Sequence, residues 1–411
     1  MLKNYFKIAI AVLKRRKFFT FISLFGISFT LTIIMVLTAF IDNVGNSKYP
    51  DKKRDRSLYV NSMVKTGSKT GYYTNGPYSY YFLDHFVGSL KTPKKVAISS
   101  TFDFSSTYVN NKKVSINLKY TNADYWEVLD YDFLEGKPFN KNQINASEKV
   151  AVISEDTKKA YFGDIPSVVG KYMEVGKVQY RVLGVVKDVP ITMPFFYGDM
   201  YLPYTLNPGY KDKSYNGTYT AILLAGSEGE VEKMKAEYNS MVTKIPILDK
   251  DYDKIYSFAD GYMTSFMRIL LSDTSNTVLT KTFIYVTLFL LLFLLLPTIN
   301  LVNINITRIM ERSSEIGVRK AFGASSKTLV YQFLVENVIL TIMGGIIGIL
   351  LSSLVIAAIN QANLIPNLHL SLNLTILVVS LLVCLVFGLL SGVYPAWRMS
   401  RLNVATALKA Q

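Results

Sequence analysis

The sequence predicts an α-helical membrane protein with four transmembrane helices and a large α/β extracytoplasmic domain inserted between helices 1 and 2. Three observations predict it. Apolar residues are gathered rather than spread: half of the 411 residues are hydrophobic, and no Asp, Glu, Lys or Arg occurs from Phe18 to Ile41, from Phe283 to Thr307 or from Asn337 to Trp397. A helix needs about 20 apolar residues to cross a bilayer core, so the two shorter runs supply one span each and the longest supplies two. Basic residues cluster in short segments between these runs, as the retention of Lys and Arg in cytoplasmic loops requires. Finally, residues 42–281 carry 31 bases and 27 acids, an ordinary globular balance.

Taken in order, residues 1–17 hold Lys3, Lys7, Lys14, Arg15, Arg16 and Lys17 and no acid. Leu2, Phe6, Ala9 and Leu13 fall on one helical face, which reads either as an amphipathic helix at the cytoplasmic membrane surface or as a plain basic flank. Span 1 is 18–41. Its apolar run is too long for a cleaved leader and is expected to be an uncleaved signal anchor. Residues 42–281 form the extracytoplasmic domain, and span 2 is 282–306, with Pro297 expected to kink it. The segment 307–328 is cytoplasmic and carries a net +3. Spans 3 and 4, 329–359 and 370–394, are joined by the uncharged link 360–369, where Asn360, Gln361, Asn363, Pro366 and Asn367 are turn residues. The tail 395–411 is cytoplasmic, with Arg398, Arg401 and Lys409. The +15 formal charge thus follows membrane orientation, and no nucleic-acid partner is expected. Membrane lipid is.

Composition excludes a collagen, a rod, a disordered chain and a disulfide scaffold. One cysteine, Cys384, and two histidines, His85 and His369, make no plausible zinc site. No metal site and no catalytic residue is expected. In the outer domain, 57–64 reads as one strand, 107–118 as a hairpin around Asn110-Asn111, and 150–153 and 180–186 as buried strands. Ser154 caps a helix through Ala160 with Glu155 and Asp156 in its first turn. Residues 226–244 have helical periodicity at Val231, Met234, Tyr238 and Met241. The crowded aromatics Tyr72, Tyr73, Tyr78, Tyr80, Tyr81 and Phe82 form either a binding surface or core and loop packing.

The cytoplasmic segment is the most informative. Arg308 to Phe322 reads as a helix with Glu315 and Arg319 at i,i+4, stopped at Gly323, with a new N-cap at Ser325 or Ser326. Such a charged, stiff element suits protein docking; a solvated loop is the plainer alternative. Glu336, about one turn into span 3, is near enough to the interface to pair with a base such as Arg308. Gly344 and Gly348, and Gly388 and Gly392, form Gly-x-x-x-Gly pairs that let helix backbones approach in lipid.

The run Arg312-Ser-Ser-Glu-Ile-Gly-Val-Arg-Lys-Ala-Phe-Gly-Ala324 strongly resembles the signature of the MacB/FtsX-like ABC-transporter permeases. The tail Gly388-Leu-Leu-Ser-Gly-Val-Tyr-Pro-Ala-Trp-Arg398, with Arg401 and Ala407-Leu408, is similar to that family's C-terminal end. Pieces of the outer domain resemble a MacB-type periplasmic core domain: Asp124-Tyr-Trp-Glu-Val128, Leu134-Glu-Gly136, Phe162-Gly163, Val169-Gly-Lys171 and Val182-Leu-Gly-Val-Val-Lys-Asp188.

The resemblance implies a non-catalytic permease subunit in a bacterial inner membrane. ATP and Mg would be bound by a partner ABC ATPase, and a second permease copy or paralogue would complete a dimer. A periplasmic adaptor or outer partner is a further partner of the family. Glu315, Gly317, Arg319, Lys320, Gly323 and Ala324 are the implied ATPase-coupling surface, with Gly323 supplying backbone freedom. Unlike MacB, this sequence has no fused ATPase motif: Gly323-Ala-Ser-Ser-Lys-Thr lacks the second glycine of a P-loop, so a separate ATPase chain is expected. The implied role is export driven by ATP; regulation of a cell-wall hydrolase and lipoprotein release are the family's alternatives.

Overall fold

A computed structural model describes residues 10–45 except 12 and 16, 49–310 except 102, 110 and 111, then 318, 326–372 except 364 and 366, and scattered positions from 375 to 389. The chain separates into two units, residues 1–44, 283–364 and 369–411 in one and 45–282 and 365–368 in the other. Besides short turns, its helices are α1 Lys17–Gly45, α2 Tyr125–Val128, α3 Lys141–Asn145, α4 Glu155–Phe162, α5 Val231–Val242, α6 Tyr262–Leu271, α7 Val278–Met310 and α8 Ser326–Ala362. Its strands are β1 Ser57–Val60, β2 Met63–Thr66, β3 Tyr73–Gly76, β4 Lys95–Ser100, β5 Asp103–Val109, β6 Lys112–Thr121, β7 Phe133–Gly136, β8 Val150–Ser154, β9 Tyr172–Val175, β10 Val178–Val186, β11 Met200–Pro203, β12 Tyr219–Leu224 and β13 Lys254–Ser257.

In the first unit, two helical stretches among the described residues are long and apolar enough to cross a membrane, Lys17–Gly45 and Leu334–Ala362; α7 adds the shorter apolar stretch Val278–Leu292. The two long stretches flank the α/β domain in sequence. Helix α7 continues through Pro297. Leu31 and Met35 of α1 are fully enclosed, with Ile349 packed on them. The exposed side of α1 carries Phe21, Phe25 and Phe29, stacked at one-turn spacing with centroids 6.3 and 5.5 Å apart. After α8 the polar link closes on itself: Asn360 Nδ2 donates to the Leu370 carbonyl at 2.9 Å, and the Leu370 N–H donates back to Asn360 Oδ1 at 3.0 Å. One asparagine thus replaces both backbone partners the turn would otherwise lack. Most of the expected span 4 lies outside the described residues.

The second unit is built on a ten-stranded sheet in the order β1-β12-β4-β6-β11-β8-β10-β7, with β5 paired to β6 and β9 to β10. Most neighbours are antiparallel; β6–β11 and β8–β10 are parallel. A second sheet, β13-β2-β3, has three strands. The expected single strand over 57–64 is therefore two strands in two sheets. Residues 57–60 pair with β12 and residues 63–66 pair with β3 and β13. Asn61 and Ser62 carry the chain across, and the Asn61 amide donates to Ser265 Oγ at 2.7 Å, so its side chain anchors the crossover. The expected hairpin pairs Val109 with Lys112; Asn110 and Asn111 lie outside the described residues.

Alternation along the strands divides the burial between the two faces of the large sheet. On one face Leu58, Ile98, Ile116, Leu118, Ala151, Ile153, Met200 and Leu223 join a single core, to which α5 adds Met234 and Tyr238. The helical pattern expected over 226–244 is helical from 231 to 242, with those two side chains fully buried. On the other face lie Tyr59, Tyr125, Tyr131, Phe196, Tyr201 and Tyr262. The hydroxyls of Tyr131 and Tyr201 both donate to the Phe196 carbonyl, at 2.7 and 3.0 Å, which fixes the loop before β11 over the sheet. Each such aromatic contributes about 1.5–3 kcal/mol by burial, and the shared carbonyl satisfies the polar ends.

The tyrosine-rich stretch splits. Tyr78, Tyr80 and Phe82 are core residues, with Tyr80 stacked on Tyr204 at 3.8 Å, whereas Tyr72 and Tyr73 are exposed. Ser154 caps α4 by accepting the Thr157 N–H at 3.2 Å, and the helix runs on to Phe162, two residues beyond the expected Ala160.

Candidate functional site

The chain enters the outer unit at Gly45, the last residue of α1, and leaves it through the first turn of α7, which holds Lys281. A path of hydrogen bonds joins these two positions. Arg54 donates from Nη1 to the Gly45 carbonyl at 2.9 Å and from Nε to Asp51 Oδ2 at 2.7 Å. The same carboxylate oxygen accepts the Tyr59 hydroxyl at 2.6 Å. Tyr59, on β1, exchanges backbone hydrogen bonds with Asp260 at 2.7 and 3.1 Å. Asp260 Oδ2 accepts Arg268 Nε and Nη2, each at 2.9 Å. Arg268 Nη1 donates to the carbonyls of Asp273 and Ser275, both at 3.1 Å. Lys281 Nζ completes the path to Asp273 Oδ2 at 3.0 Å and Ser275 Oγ at 3.1 Å.

Local sequence explains the geometry. Tyr262, Ser265 and Arg268 follow one another at three-residue spacing on α6 and are its buried residues. Ser272 ends the helix in the left-handed region, φ +50°, and Asp273 Oδ1 accepts the Ser275 N–H at 2.7 Å. This Asx turn aims the carbonyls at 273 and 275 back at Arg268. Aromatic faces cover both guanidinium groups: Arg54 lies 3.6 Å from the centroid of Tyr262, and Arg268 lies 3.7 Å from that of Phe258. Cations over desolvated rings gain about 2 kcal/mol or more, and the rings also exclude water from the ion pairs.

The electrostatics grade along the path. Burial pushes the Asp51 carboxyl above its ordinary value, against the pull of Arg54 and the Tyr59 hydroxyl. Burial also raises the Tyr262 hydroxyl to about 12. At the exposed end, hydrogen bonds from Ser275 and then Lys281 pull the Asp273 carboxyl down to about 2. The buried links are the firm ones, since surface pairs contribute only about 0–1 kcal/mol. Among the described residues, no group of three or more His, Cys, Asp or Glu side chains is placed to hold a metal ion. The arrangement is suited to carrying displacement, because each link is a short directional contact between elements that are otherwise packed.

In the membrane unit, α8 presents Gly344 and Gly348 to α1. A Cβ built at Gly344 would stand 2.7 Å from Ile27 Cγ2, and one at Gly348 would stand 2.8 Å from Leu31 Cδ2 and 3.1 Å from the Ser28 carbonyl. Thr32 Oγ1 lies 3.3 Å from the Gly348 carbonyl while donating to Ser28 at 2.7 Å. Ser352 Oγ donates to the same Gly348 carbonyl at 2.8 Å and lies 3.4 Å from Met35 Sδ.

Residues 20–238 match the MacB-like periplasmic core domain, and residues 287–404 match the FtsX-like permease C-terminal domain. The chain belongs to the MacB/FtsX-like family of ABC-transporter permeases. It is 27% identical over 306 residues to the macrolide export ATP-binding/permease protein MacB of Escherichia coli (strain K12), covering 73% of this chain and 44% of that protein. The permease thus spans less than half the length of that curated relative. The periplasmic region of MacB from Actinobacillus actinomycetemcomitans aligns with a TM-score of 0.38 at 18% identity, over 56% of this chain and 97% of that one. The extracellular domain of the noncanonic ABC-type transporter YknZ from Gram-positive bacteria aligns with a TM-score of 0.32 at 16% identity, over 45% and 91%. The permease is a membrane protein with a periplasmic domain.

Several segments that carried the resemblance have structural work in this fold. Glu135 pairs with Lys158 and accepts the Val168 N–H at 2.9 Å and the Ser167 hydroxyl at 2.8 Å, tying β7 to α4. Asp188 accepts the Asp156 N–H at 3.0 Å at the start of α4. The residues expected to form the coupling surface, Glu315, Gly317, Arg319, Lys320, Gly323 and Ala324, and the glycines of the expected span 4, Gly388 and Gly392, lie outside the described residues. Glu336 is 1% exposed; the Arg308 side chain lies outside the description. Sequence reasoning did not single out Asp51, Arg54, Tyr59, Asp260 or Arg268. The only trace of them is charge placed just beyond each span, which reads equally as a solvated flank.

Proposed function

We propose that the permease converts the ATP-driven movement of a separate ABC ATPase into movement of its outer domain, and that this stroke exports a periplasmic or membrane substrate. The ATPase carries ATP and Mg; this chain carries the motion. The observation that carries the reading is the hydrogen-bond path from Gly45 to Lys281, which braces together the two strands of chain through which the outer domain is held. A pull on either one reaches α6 and β1 rather than dissipating in a slack linker. Four spans, cytoplasmic termini and a dimer of two permeases, identical or paralogous, complete the proposed assembly.

The proposed ATPase-docking surface is Glu315, Gly317, Arg319, Lys320, Gly323 and Ala324 in the segment 307–328. The experiment is a gentle-detergent purification from native membranes with mass spectrometry of the co-purifying proteins. An ABC ATPase in roughly one-to-one ratio with wild-type protein, lost in Arg319→Glu, is expected. An ATPase that remains bound to Arg319→Glu with coupled activity intact overturns the docking assignment. Recovery of the permease with no ATPase, even after cross-linking at 307–328, overturns the transport reading.

A further inference from the structure

The outer unit contains a cavity of about 340 Å³ where the chain crosses from the large sheet to the small one. Its wall is largely apolar, with Pro77, Pro194, Phe195 and Ile269, and Lys119 is among its lining residues. Lys119 is 2% exposed and sits on β6, on the face opposite the main core. Its Nζ donates to the Ser100 carbonyl at 3.0 Å. Among the described residues, Lys119 is the only ionisable one lining the cavity, and no acidic group among them contributes to its electrostatics. Each element around it presents uncharged groups: Ser100 and Thr101 from β4 and its end, Thr220 from β12, Asn75 from β3, Asn61 from the crossover, Phe195 from the overlying loop and Ile269 from α6. A second observation points the same way. Asn61 Oδ1 is buried and has no hydrogen-bond partner among the described residues, although the Asn61 amide nitrogen is held by Ser265.

A buried ammonium without a carboxylate is costly, and lysine is among the residues least often buried unpaired. Here the backbone is committed to it. Gly198 lets the loop lie on its stem, since a Cβ there would stand 3.1 Å from Lys119 Cβ. Burial alone pushes the amine down to about 7, so near neutrality it is poised between an amine and an ammonium awaiting a counter-anion. The cavity volume is within the range of about 300–1,000 Å³ typical of small-molecule sites.

We propose that this cavity is a binding site for a small apolar organic acid, whose carboxylate pairs with Lys119 and whose body lies against Phe195, Pro194 and Ile269. A hydroxyl or amide N–H elsewhere on such an acid would donate to Asn61 Oδ1. The proposal does not depend on the transport reading, because it stands on the cavity and its one cation.

The experiment is isothermal titration of the full-length permease in nanodiscs with 4-phenylbutyrate, compared with the neutral 4-phenylbutanol and the cationic 4-phenylbutylamine. The carboxylate is expected to bind saturably and the amine not to bind. The alcohol and the Lys119→Met variant are expected to lose about tenfold or more in affinity, the worth of one charge-assisted hydrogen bond. Titrations at pH 8 in buffers of differing ionisation enthalpy are expected to show uptake of close to one proton, because the anion returns Lys119 to its charged form. Ile269→Trp, which fills the cavity and leaves Lys119 in place, is expected to abolish binding and guards against a misfolded Lys119→Met. Absence of saturable binding to the wild type, or equal affinity for acid and alcohol with no proton uptake, overturns the proposal.

Discussion

Arg268 and Asp260 meet at 2.9 Å with side chains 6% and 7% exposed, eight residues apart in sequence and joined across the start of α6. Because Asp260 is also the backbone partner of Tyr59 on β1, this one ion pair fastens the helix that precedes α7 to the strand that follows α1. Removing one member of a buried pair costs about 3–5 kcal/mol where the other is left uncompensated, and without Arg268 the Asp260 carboxylate keeps only the half-exposed Lys235, 3.5 Å from its Oδ1. Arg268→Met is therefore expected to lower the stability of the outer unit by that order, and Asp260→Asn by less, since its amide can still accept one N–H. Thermal unfolding of the purified permease, followed by near-ultraviolet circular dichroism, measures both; an unchanged midpoint for Arg268→Met removes the pair from the framework of the path.

The exposed end of the same path behaves differently. Lys281 and Asp273 have side chains 44% and 22% exposed, so their attraction is screened and Lys281→Ala is expected to cost at most about 1 kcal/mol. Under the proposed function it should nonetheless weaken transmission, since the path would end at the Asp273 and Ser275 carbonyls held by Arg268. In a reconstituted complex this variant is expected to keep ATP hydrolysis and lose part of the coupled transport. Full transport would confine the working part of the path to its buried links.

How much of this was legible in the sequence depends on the range of the interaction involved. Local features were: the Ser154 cap, the hairpin expected over 107–118, and the helical pattern with Met234 and Tyr238 depend on residues close to each other in sequence. The split at Asn61 was not, because the apolar residues on both sides of Asn61-Ser62 read as one run, and only the partners, β12 on one side and β13 with β3 on the other, differ. The stem path was hidden for the same reason. Tyr59 and Asp260 are about two hundred residues apart, and a charged residue beside a membrane span carries no mark of whether it is paired or solvated. Lys119 likewise reads as an ordinary polar position in an alternating strand until the face it points from is seen to be covered.

Asp188 gives a pH dependence. Burial raises its carboxyl to about 6, helped by the neighbouring charges of Asp156 and Glu155 and opposed by the Asp156 N–H and the Ser154 hydroxyl. The folded state therefore holds this proton more tightly than the unfolded chain, whose carboxyl titrates near about 4. The group's contribution to stability is fully present below that value and is lost as pH rises from about 4 through about 6. Asp188→Asn keeps an acceptor for the Asp156 N–H and removes the charge. It is expected to raise the thermal midpoint above pH 6.5 and to flatten its dependence between pH 4 and 6.5; a midpoint that tracks the wild type over this range would exclude the assignment.

The last prediction concerns the contact of α8 with α1, where the proposed role of the glycines is close helix packing within one chain. Ile27, Leu31 and Ser28 occupy the space a side chain would need at Gly344 and Gly348, and the Gly348 carbonyl receives the Ser352 hydroxyl at 2.8 Å. Leu31 is wholly buried, so it has no free volume into which to withdraw. Overpacking of this kind costs about 1–3 kcal/mol even where helices can shift, and in lipid no hydrophobic term restores the lost contact. Gly348→Leu is expected to part the helices and Gly348→Ala to do so less. A cysteine pair at Leu31 and Ile349, on the otherwise serine-substituted Cys384 background, measures this: cross-linking should be efficient in that background and fall sharply with Gly348→Leu. If cross-linking and thermal stability were both unchanged by the leucine, close approach at this position would not be what holds the two helices together.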